Sequence, residues 1–249
     1  MRIALISDIH GNNTALNAVL DDVDQHRIDT IICLGDTATI GPQPHQVLAR
    51  LKALDCPCVT GNHEAVLLEP DSFEKYKIAP QLVPTIQWCV NQLTEDDYDF
   101  LRSFKSSEEI LLGPDFRMRC FHGSPRSNTE NILPSTPARE LNRLFANEPA
   151  EVIAVGHTHI QMLRSYQGRL IINPGSVGAV FLGPAVPSEA PTLLSRVEYA
   201  IVDYTGGALS VDFRRLPLDN EVFIKVIADS DIPLKDSLIE QYSSHPPTG

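Results

Sequence analysis

Short apolar strands that end in polar residues recur along this chain, and they constrain its fold more than any other feature. The first two, "RIALIS" at 2–7 and "DTIICLGD" at 29–36, flank a segment in which Leu16, Val19 and Val23 recur at helical spacing. Strands that alternate with amphipathic helices are typical of parallel βαβ units. The sequence therefore predicts an α/β fold.

The middle of the chain continues this pattern and then interrupts it. A helix is predicted at 44–54, and a third short strand is predicted in "CPCVTGNHE". Residues from about 72 to 104 are predicted to form a helical insertion, with Thr94 as a helix N-cap. A strand in "RMRCFHG" follows. The helix in "TPARELNRLFA" is predicted to have Thr136 as its cap and Pro137 at its first position.

The last third of the chain has antiparallel patterns. After the strand in "EVIAVGHTH", the segments "QMLRSYQGRLIINPGS" and "EYAIVDYTGGALSVDFRRL" read as hairpins, which predict antiparallel strands in a second sheet. Residues 219–243 are predicted to be helical, and about 244–249 are predicted to be a frayed tail. No repeat or linker divides the chain, so we predict a single domain of residues 1–249.

Composition excludes several classes of function. The net charge of −12 argues against broad binding of nucleic acid, and no apolar run reaches the length of a membrane span. Five cysteines and no signal-peptide cleavage site predict free thiols and a cytoplasmic location. Cys56 and Cys58 are either a metal clip or two small buried residues, and the lack of a second cysteine pair favours burial. The sequence does not indicate an oligomeric state.

Metal-binding side chains gather at the predicted carboxyl ends of the strands. Because ligands collect at that edge of an open α/β sheet, we expect these side chains to converge. They are Asp8, His10, Asp36, Asn62, His63, His122, His157 and His159. Carboxylate and imidazole groups bind zinc, manganese or iron, and seven ligands with one bridging carboxylate would suit two ions.

The ordered motifs "DIHGN", "GD", "GNHE", "HG" and "GHTH" resemble the motif series of the calcineurin-like metallophosphoesterase superfamily. The segments "GDTATIGPQP", "HGSPR" and "NPGSVG" resemble its small prokaryotic phosphodiesterase branch. The resemblance extends over roughly residues 1–217. It implies a four-layer αββα sandwich of two mixed β-sheets flanked by helices, with a dinuclear metal site.

Carried over position by position, the resemblance implies two overlapping ligand sets. The first ion would be held by Asp8, His10, Asp36 and His159. The second would be held by Asp36, Asn62, His122 and His157, so that Asp36 bridges the pair. The two ions would be divalent transition metals, namely manganese, iron, zinc or nickel.

The same resemblance implies a metal-dependent phosphoric ester hydrolase, most simply a phosphodiesterase that acts on a small phosphoester through a metal-bridging hydroxide. His63 follows Asn62 directly, and the matching histidine of the family protonates or stabilises the leaving oxygen. Arg126, in "HGSPR", is either a clamp for a substrate phosphate or a solvated loop residue.

Two alternative functions remain open at this point. Protein Ser/Thr phosphatases and dinucleoside tetraphosphate hydrolases of the superfamily carry an arginine shortly after "GD", whereas this chain has "GDTATIG". That difference counts against both, although a phosphomonoesterase, such as a protein or nucleotide phosphatase, is retained as an alternative. A non-catalytic protein-binding scaffold on the same fold is the other, and the complete set of ligand residues counts against it.

Overall fold

The computed structural model describes residues 1–185 and 190–244. The first third alternates strands and helices as predicted, with β1 (Arg2–Ile6), α1 (Asn13–Val23), β2 (Thr30–Cys33) and α2 (Pro44–Leu54). The remaining helices and strands, in chain order, are α3 (Asn62–Leu68), α4 (Val83–Gln92), α5 (Glu95–Arg102), β3 (Glu108–Gly113), β4 (Phe116–Cys120), α6 (Ala138–Leu144), β5 (Val152–Ala154), β6 (Met162–Tyr166), β7 (Arg169–Asn173), β8 (Val180–Phe181), β9 (Leu193–Leu194), β10 (Arg196–Thr205), β11 (Ala208–Pro217), α7 (Asn220–Asp229) and α8 (Lys235–Ser244).

The first sheet has the strand order β11-β10-β1-β2. β1 pairs parallel with β2, with Ile3 opposite Thr30, and antiparallel with β10, with Leu5 opposite Ala200. The β10–β11 hairpin forms as predicted, but it extends the first sheet instead of a second one. That part of the prediction was wrong, because the pairing of β10 with β1 joins residues about 200 positions apart and leaves no local pattern.

The second sheet has the strand order β3-β4-β5-β7-β6. β4, β5 and β7 run parallel, and β6 returns antiparallel to β7 through the predicted hairpin. The edge strand β3 was not predicted. Its sequence, "EEILLG", alternates between half-buried and exposed side chains, so it lacks the apolar run that marks the inner strands.

The two sheets and the helices form the four layers that the family resemblance implies. Ile3 and Leu5 of β1 pack with Met118 of β4 and Val152 of β5 in a core between the sheets. The opposite face of the first sheet packs against α1, α2 and the other helices of the first core cluster. The outer face of the second sheet is covered by Leu141 and other residues around α6.

Several predicted elements differ from those in the structure. The third strand is reduced to isolated bridges at Cys58 and Val59, because the chain turns at Gly61 directly into the unpredicted helix α3. Cys58 is buried and Cys56 is half-buried, and both thiols are free. The helical insertion begins with a short 3₁₀ turn at Pro80–Leu82, about eight residues later than predicted.

Helix ends also test the predicted caps. Thr94 caps α5 as predicted, since its Oγ1 accepts a hydrogen bond from the amide of Asp97. At α6 the prediction was one residue early: Pro137 is the N-cap, and Thr136 instead accepts a hydrogen bond from the amide of Leu133. The region 219–243 forms α7 and α8. The frayed tail predicted for 244–249 lies outside the described residues except for Ser244, which ends α8.

The parallel strands place their carboxyl ends at one edge of the sandwich. β1 and β2 end there in the first sheet, and β4 and β5 end there in the second. The loops that follow these four strands contain most of the predicted metal ligands. No helix among the described residues combines the length and the apolar character needed to cross a membrane.

Candidate metal centre

The first ligand group consists of Asp8, His10 and His159. The Nε2 atoms of the two histidines lie 3.2 Å apart. The Oδ1 atom of Asp8 lies 3.3 Å from Nε2 of His159 and 3.9 Å from Nε2 of His10. Ligand atoms about 2.0–2.2 Å from a shared transition metal are separated by about 3–3.5 Å, so the group is close to the spacing that an ion requires.

The second ligand group consists of Asp36, His122 and His157, whose ligand atoms all lie within 4.8 Å of one another. Nε2 of His122 lies 3.2 Å from Oδ2 of Asp36 and 3.2 Å from Oδ1 of Asn62. The side-chain nitrogen of Asn62 donates a hydrogen bond to the carbonyl of Tyr76. This bond orients the side-chain oxygen of Asn62 toward His122. All seven predicted ligands are thus brought into one site.

Asp36 connects the two groups. Its Oδ1 atom accepts a hydrogen bond from the amide of His63, which holds the carboxylate in one orientation. Its Oδ2 atom lies 3.2 Å from Nε2 of His122 in the second group and 4.0 Å from Nε2 of His10 in the first. The position of this oxygen is the one that a bridging ligand would occupy.

Five of the seven predicted ligands have a left-handed backbone. The φ angles are +54° at Asp8, +48° at His10, +56° at Asp36, +67° at His157 and +58° at His159. Residues other than glycine rarely adopt this backbone region, because it is strained for them. Such strained residues cluster at functional sites. The turns point these side chains back across the ends of the strands instead of outward along them.

The close approach of Gly156 to Ser7 explains why a glycine precedes the two histidines of "GHTH". A Cβ atom there would lie only 2.1 Å from the hydroxyl of Ser7, so the loop after β5 can approach β1 only with glycine. The close approach lets the amide of His157 donate to Oδ2 of Asp8. His157 and His159 therefore face different groups of the same centre.

The "NPGSVG" loop packs against the same strand end. The amide of Gly178 donates to the carbonyl of Asp8, and a Cβ atom on Gly178 would lie 1.8 Å from the carbonyl oxygen of Ile9. The hydroxyl of Ser176 also donates to the carbonyl of Asp8. These donors hold the Asp8 turn, so the loop is a tight support of the site.

Hydrogen bonds from Nδ1 fix the orientation of two histidine rings in the site. Nδ1 of His122 donates to the carbonyl of Leu34, and Nδ1 of His159 donates to the carbonyl of Ala179. Nε2 of each ring then faces the site, where it can bind a metal ion that takes the place of its proton. Such support by carbonyl groups is typical of metal-binding histidines.

The donor set fits a metal ion, and one carboxylate oxygen of the set makes no hydrogen bond. Among the described residues, Oδ1 of Asp8 is fully buried and makes no hydrogen bond. A buried carboxylate oxygen without a donor is costly unless a cation satisfies it. Burial and the neighbouring His63 lower the pKa of His10 well below its ordinary value, which keeps this ring in the neutral form that binds metals.

In the second ligand group, Asp36 and His122 shift each other's pKa. Burial disfavours the charged form of His122, but the charge of Asp36 outweighs it and raises the pKa of His122 to about 10. Burial opposes ionisation of Asp36 as well, yet the rings of His122 and His63 hold its pKa well below the ordinary value. The two ionised carboxylates therefore favour positive charge in this buried site, whether it is a ring proton or a metal ion.

His63 lies inside the site, as predicted, beside the ligand groups. Its Nε2 atom is 3.9 Å from Oδ2 of Asp36, and its Nδ1 atom is 2.6 Å from the hydroxyl of Thr39. The same hydroxyl lies 3.5 Å from Nδ1 of His10. Thr39 was not singled out from the sequence, because its partners are 24 and 29 positions away.

Glu64 is a second residue that the sequence did not single out, although it stands in the quoted motif "GNHE". It is fully buried, and its two oxygens accept hydrogen bonds from the amides of Asp36, Thr37 and Gly61 and from the hydroxyl of Thr37. Glu64 thus ties the loop that carries Asp36 to the first turn of α3. The signal was its place directly after His63.

Arg126 lies on the loop that follows His122, but apart from both ligand groups. It is exposed, and it lines a cavity between α3 and residues 124–128. None of the seven predicted ligands lines this cavity. His45, which lies in α2, is bonded to Asp97 and takes no part in the centre.

Comparison with known proteins identifies the family. The model of the calcineurin-like phosphoesterase superfamily domain matches residues 1–194. The chain belongs to this superfamily. Membership of a phosphoesterase family implies a hydrolase of phosphoesters, and the histidines and aspartates of the centre could hold metal.

Individual proteins and solved structures are similar to this chain over most of its length. This chain is 30% identical over 209 residues to the uncharacterized protein MJ0912 of Methanocaldococcus jannaschii. The match covers 81% of this chain and 82% of that protein. It is also similar to a metallophosphoesterase from Sphaerobacter thermophilus, with 26% identity, a TM-score of 0.73, and coverage of 98% of this chain and 99% of the other. The hypothetical protein PH1004 from Pyrococcus horikoshii has the same fold, with 19% identity, a TM-score of 0.80 and 96% of each chain covered.

Proposed function

We propose that this phosphoesterase hydrolyses phosphodiesters with two divalent transition-metal ions. The observation that carries the proposal is the place of Asp36, whose Oδ2 atom faces His10 of one ligand group and His122 of the other. A single ion at either group would leave the second group of buried donors without a cation. Manganese, iron, zinc and nickel all suit a set of imidazole and carboxylate ligands.

The ligands would divide as the resemblance implies. Asp8, His10 and His159 would hold one ion with Asp36, and Asn62, His122 and His157 would hold the other with the same carboxylate. When bound, such ions lower the pKa of water and neutralise charge on the phosphate oxygens. The chain itself contributes rigid ligand turns and the orientation of each imidazole.

Hydrolysis also requires a proton at the leaving oxygen. The reaction forms a bond from a water oxygen to phosphorus, breaks the ester bond from phosphorus to the leaving oxygen, and transfers a proton to that oxygen. His63 is the candidate to donate it, since its Nδ1 atom is held by Thr39 and its Nε2 atom faces Asp36. General acid catalysis of this kind contributes about a hundred- to ten-thousand-fold in rate.

The preference for diesters rests on charge. A monoester carries about one more negative charge than a diester at neutral pH, since the second pKa of a phosphate monoester is about 6. The loop after Asp36 reads Thr37, Ala38, Thr39 and Ile40 and supplies no arginine for that charge. The site is therefore better matched to a monoanionic diester.

The experiment compares kcat/KM for bis(p-nitrophenyl) phosphate with that for p-nitrophenyl phosphate, at the same metal and pH. We expect the diester to be preferred. The variant Asp36→Asn, purified in the same way, serves as the control for contaminating phosphatases. A clear preference for the monoester would instead support the phosphomonoesterase alternative, and the absence of turnover on either ester with metal bound would support a non-catalytic scaffold.

The proposal extends to the partners and the location of the chain. The substrate would be a small phosphoester, because the net charge of −12 disfavours broad binding of nucleic acid. A cytoplasmic location is supported by the five free thiols. Fractionation of cells that express the tagged chain, with a salt-dependent retention assay on duplex DNA, tests both proposals.

A further inference from the structure

A cavity beside the metal centre has no role in the function proposed so far. Its volume is about 560 Å³, and it lies where α3, the segment before β3 and the loop 124–128 meet. Cavities of about 300–1,000 Å³ are typical of sites for small organic molecules. The cavity is large enough to hold a part of the substrate that extends away from the metals.

Residues of the cavity wall are connected to the metal centre by chain neighbours and by hydrogen bonds. Phe121 of its wall directly precedes His122, and the carbonyl of Tyr76, another wall residue, accepts a hydrogen bond from Asn62. Asn128 of the wall donates to the carbonyl of Gly61, the residue before Asn62. Two of the predicted ligands are therefore one residue or one hydrogen bond from the wall.

The lining combines polar and apolar residues. Its residues include Thr60, Ser106 and Ser107, which carry hydroxyl groups, and the aromatic residues Phe121 and Tyr76. Hydroxyl groups can donate to phosphate or sugar oxygens. The ring of Phe121 is already covered by the guanidinium of Arg119, and the ring of Tyr76 by the ammonium group of Lys75. The hydroxyl groups suit an organic phosphate better than a purely apolar ligand.

The charges of the two arginines in the wall are compensated to different degrees. Arg119 donates to Ser107 and lies 3.8 Å from Glu109 and 3.9 Å from Glu148. The guanidinium of Arg126, in contrast, makes no hydrogen bond or ion pair with the part of the chain that the structure describes. Arg126 is thus the cation of this cavity that remains available to an anion.

Acidic residues do not cancel this charge at the cavity. Glu69 lies in the wall, but its carboxylate is 2.6 Å from Nζ of Lys75. Glu130 is engaged by the hydroxyl of Ser124 and by Arg143. The net effect is a cavity with one free guanidinium and several hydroxyl groups.

We propose that this cavity binds a second phosphate group of the substrate, with Arg126 as its cation. This inference rests on the proposed function, because the scissile phosphate would lie at the metals and the second phosphate would lie on the arm that extends into the cavity. Arginine suits the role because its planar guanidinium can form paired hydrogen bonds to phosphate oxygens. The substrate class is a phosphodiester in which one arm carries a further phosphate.

The experiment uses the metal-loaded enzyme and a matched pair of substrates. One is the 5′-(p-nitrophenyl) ester of thymidine 5′-phosphate, and the other is the same ester with an added 3′-phosphate. We expect the wild-type enzyme to have a higher kcat/KM for the ester with the second phosphate, through a lower KM. In Arg126→Ala this preference should fall by about ten-fold or more, since paired hydrogen bonds to a charged group are lost.

Arg139→Ala is the matched control, because Arg139 is an exposed arginine on α6 outside the cavity. It should retain the wild-type preference, and Arg126→Lys should restore part of it. The inference is overturned if the wild-type enzyme does not distinguish the two esters, or if Arg126→Ala lowers kcat/KM for both equally. In the second case Arg126 acts on the scissile phosphate.

A binding measurement separates this inference from the proposed function. Calorimetry with thymidine 3′,5′-bisphosphate should show affinity that falls by about ten-fold or more in Arg126→Ala and is retained in Arg139→Ala. If neither ester is hydrolysed but this binding depends on Arg126, the proposed function fails and the phosphate site stands. If hydrolysis occurs and the binding is insensitive to Arg126, the phosphate site fails alone.

Discussion

The hydroxyl of Thr39 lies 2.6 Å from Nδ1 of His63, which leaves Nε2 of the ring facing Asp36. A histidine held by its outer nitrogen keeps one orientation, as metal-binding and catalytic histidines commonly do. The contact joins the loop after β2 to the start of α3. His63 is therefore placed by the same two elements that place the carboxylate of Asp36.

The first prediction concerns His63 itself. His63→Ala should leave the metal content near that of the wild-type protein and lower kcat by about a hundred- to ten-thousand-fold, or about 2.7–5.5 kcal/mol of barrier. The loss should be smaller for nitrophenol esters than for alkyl or nucleoside esters, because a weakly basic oxygen needs little protonation. Loss of metal would make His63 a ligand, and equal losses for all leaving groups would make it a phosphate-positioning residue.

The second prediction tests whether the contact with Thr39 positions the ring of His63 for turnover. Thr39→Val removes the hydroxyl at nearly constant volume, so the ring of His63 should lose its anchor and kcat should fall by about ten-fold. Thr39→Ser retains a hydroxyl and should recover most of the rate. Metal content is measured in parallel. If the serine and valine variants have equal rates, the contact of Thr39 with His63 has no role in turnover.

The third prediction tests the bridging position. After reconstitution with manganese, elemental analysis should give about two ions per chain, as in known two-metal sites. Asp36→Asn should lower the occupancy of both positions, whereas Asn62→Ala should mainly lower one, because only Asp36 faces both groups. A wild-type stoichiometry of one at saturating metal would contradict the dinuclear centre, and equal losses in the two variants would contradict the bridge.

The fourth prediction concerns the buried carboxylate of Glu64. Glu64→Gln replaces one accepting oxygen with an amide group that faces backbone donors, so it should destabilise the fold by about 2–4 kcal/mol and weaken metal binding. Urea unfolding and metal titration measure the two effects. Glu95→Gln, in the exposed first turn of α5, should change the free energy of unfolding by less than about 0.5 kcal/mol. A Glu64→Gln variant with wild-type stability would show that these hydrogen bonds do not hold the loop.

The fifth prediction is a pH dependence of stability. Asp22 of α1 accepts hydrogen bonds from Arg214 of β11 and from the hydroxyl of Tyr199. Burial alone would raise the pKa of Asp22, but these bonds outweigh it and hold the pKa below its ordinary value of 3.8. A carboxylate whose pKa is lowered on folding stabilises the fold above its unfolded pKa, and this contribution is lost as the pH falls through the folded pKa.

Asp22→Asn should therefore destabilise the fold by about 1–3 kcal/mol at pH 7, the range for hydrogen bonds to a charged group, and the difference from the wild-type protein should shrink below about pH 4. Urea unfolding at both pH values measures it. Asp21→Asn is the matched control, since Asp21 is the exposed neighbour on the same helix. A difference that is the same at both pH values would contradict an ionic contribution from Asp22.

Much of the centre could be predicted from the sequence, because the relevant pattern is local. Each predicted ligand follows an apolar run within a few residues, and parallel strands carry such residues to one edge. The positions of Asp8, Asp36 and His122 needed no further information. The two hairpins were also predicted, since a turn with Gly206 and Gly207 between alternating segments is a short-range signal.

Other features depend on contacts that no local pattern records. The sheet that β10–β11 joins is decided by the pairing of Leu5 with Ala200. The roles of Thr39 and Glu64 arise because the loop after β2 comes within hydrogen-bond distance of α3. The sequence by itself determined which chemical groups stand at the ends of the strands. The tertiary structure alone decided which of them share a carboxylate, a hydroxyl or a cavity, because distances between remote segments are set by packing and not by the order of residues.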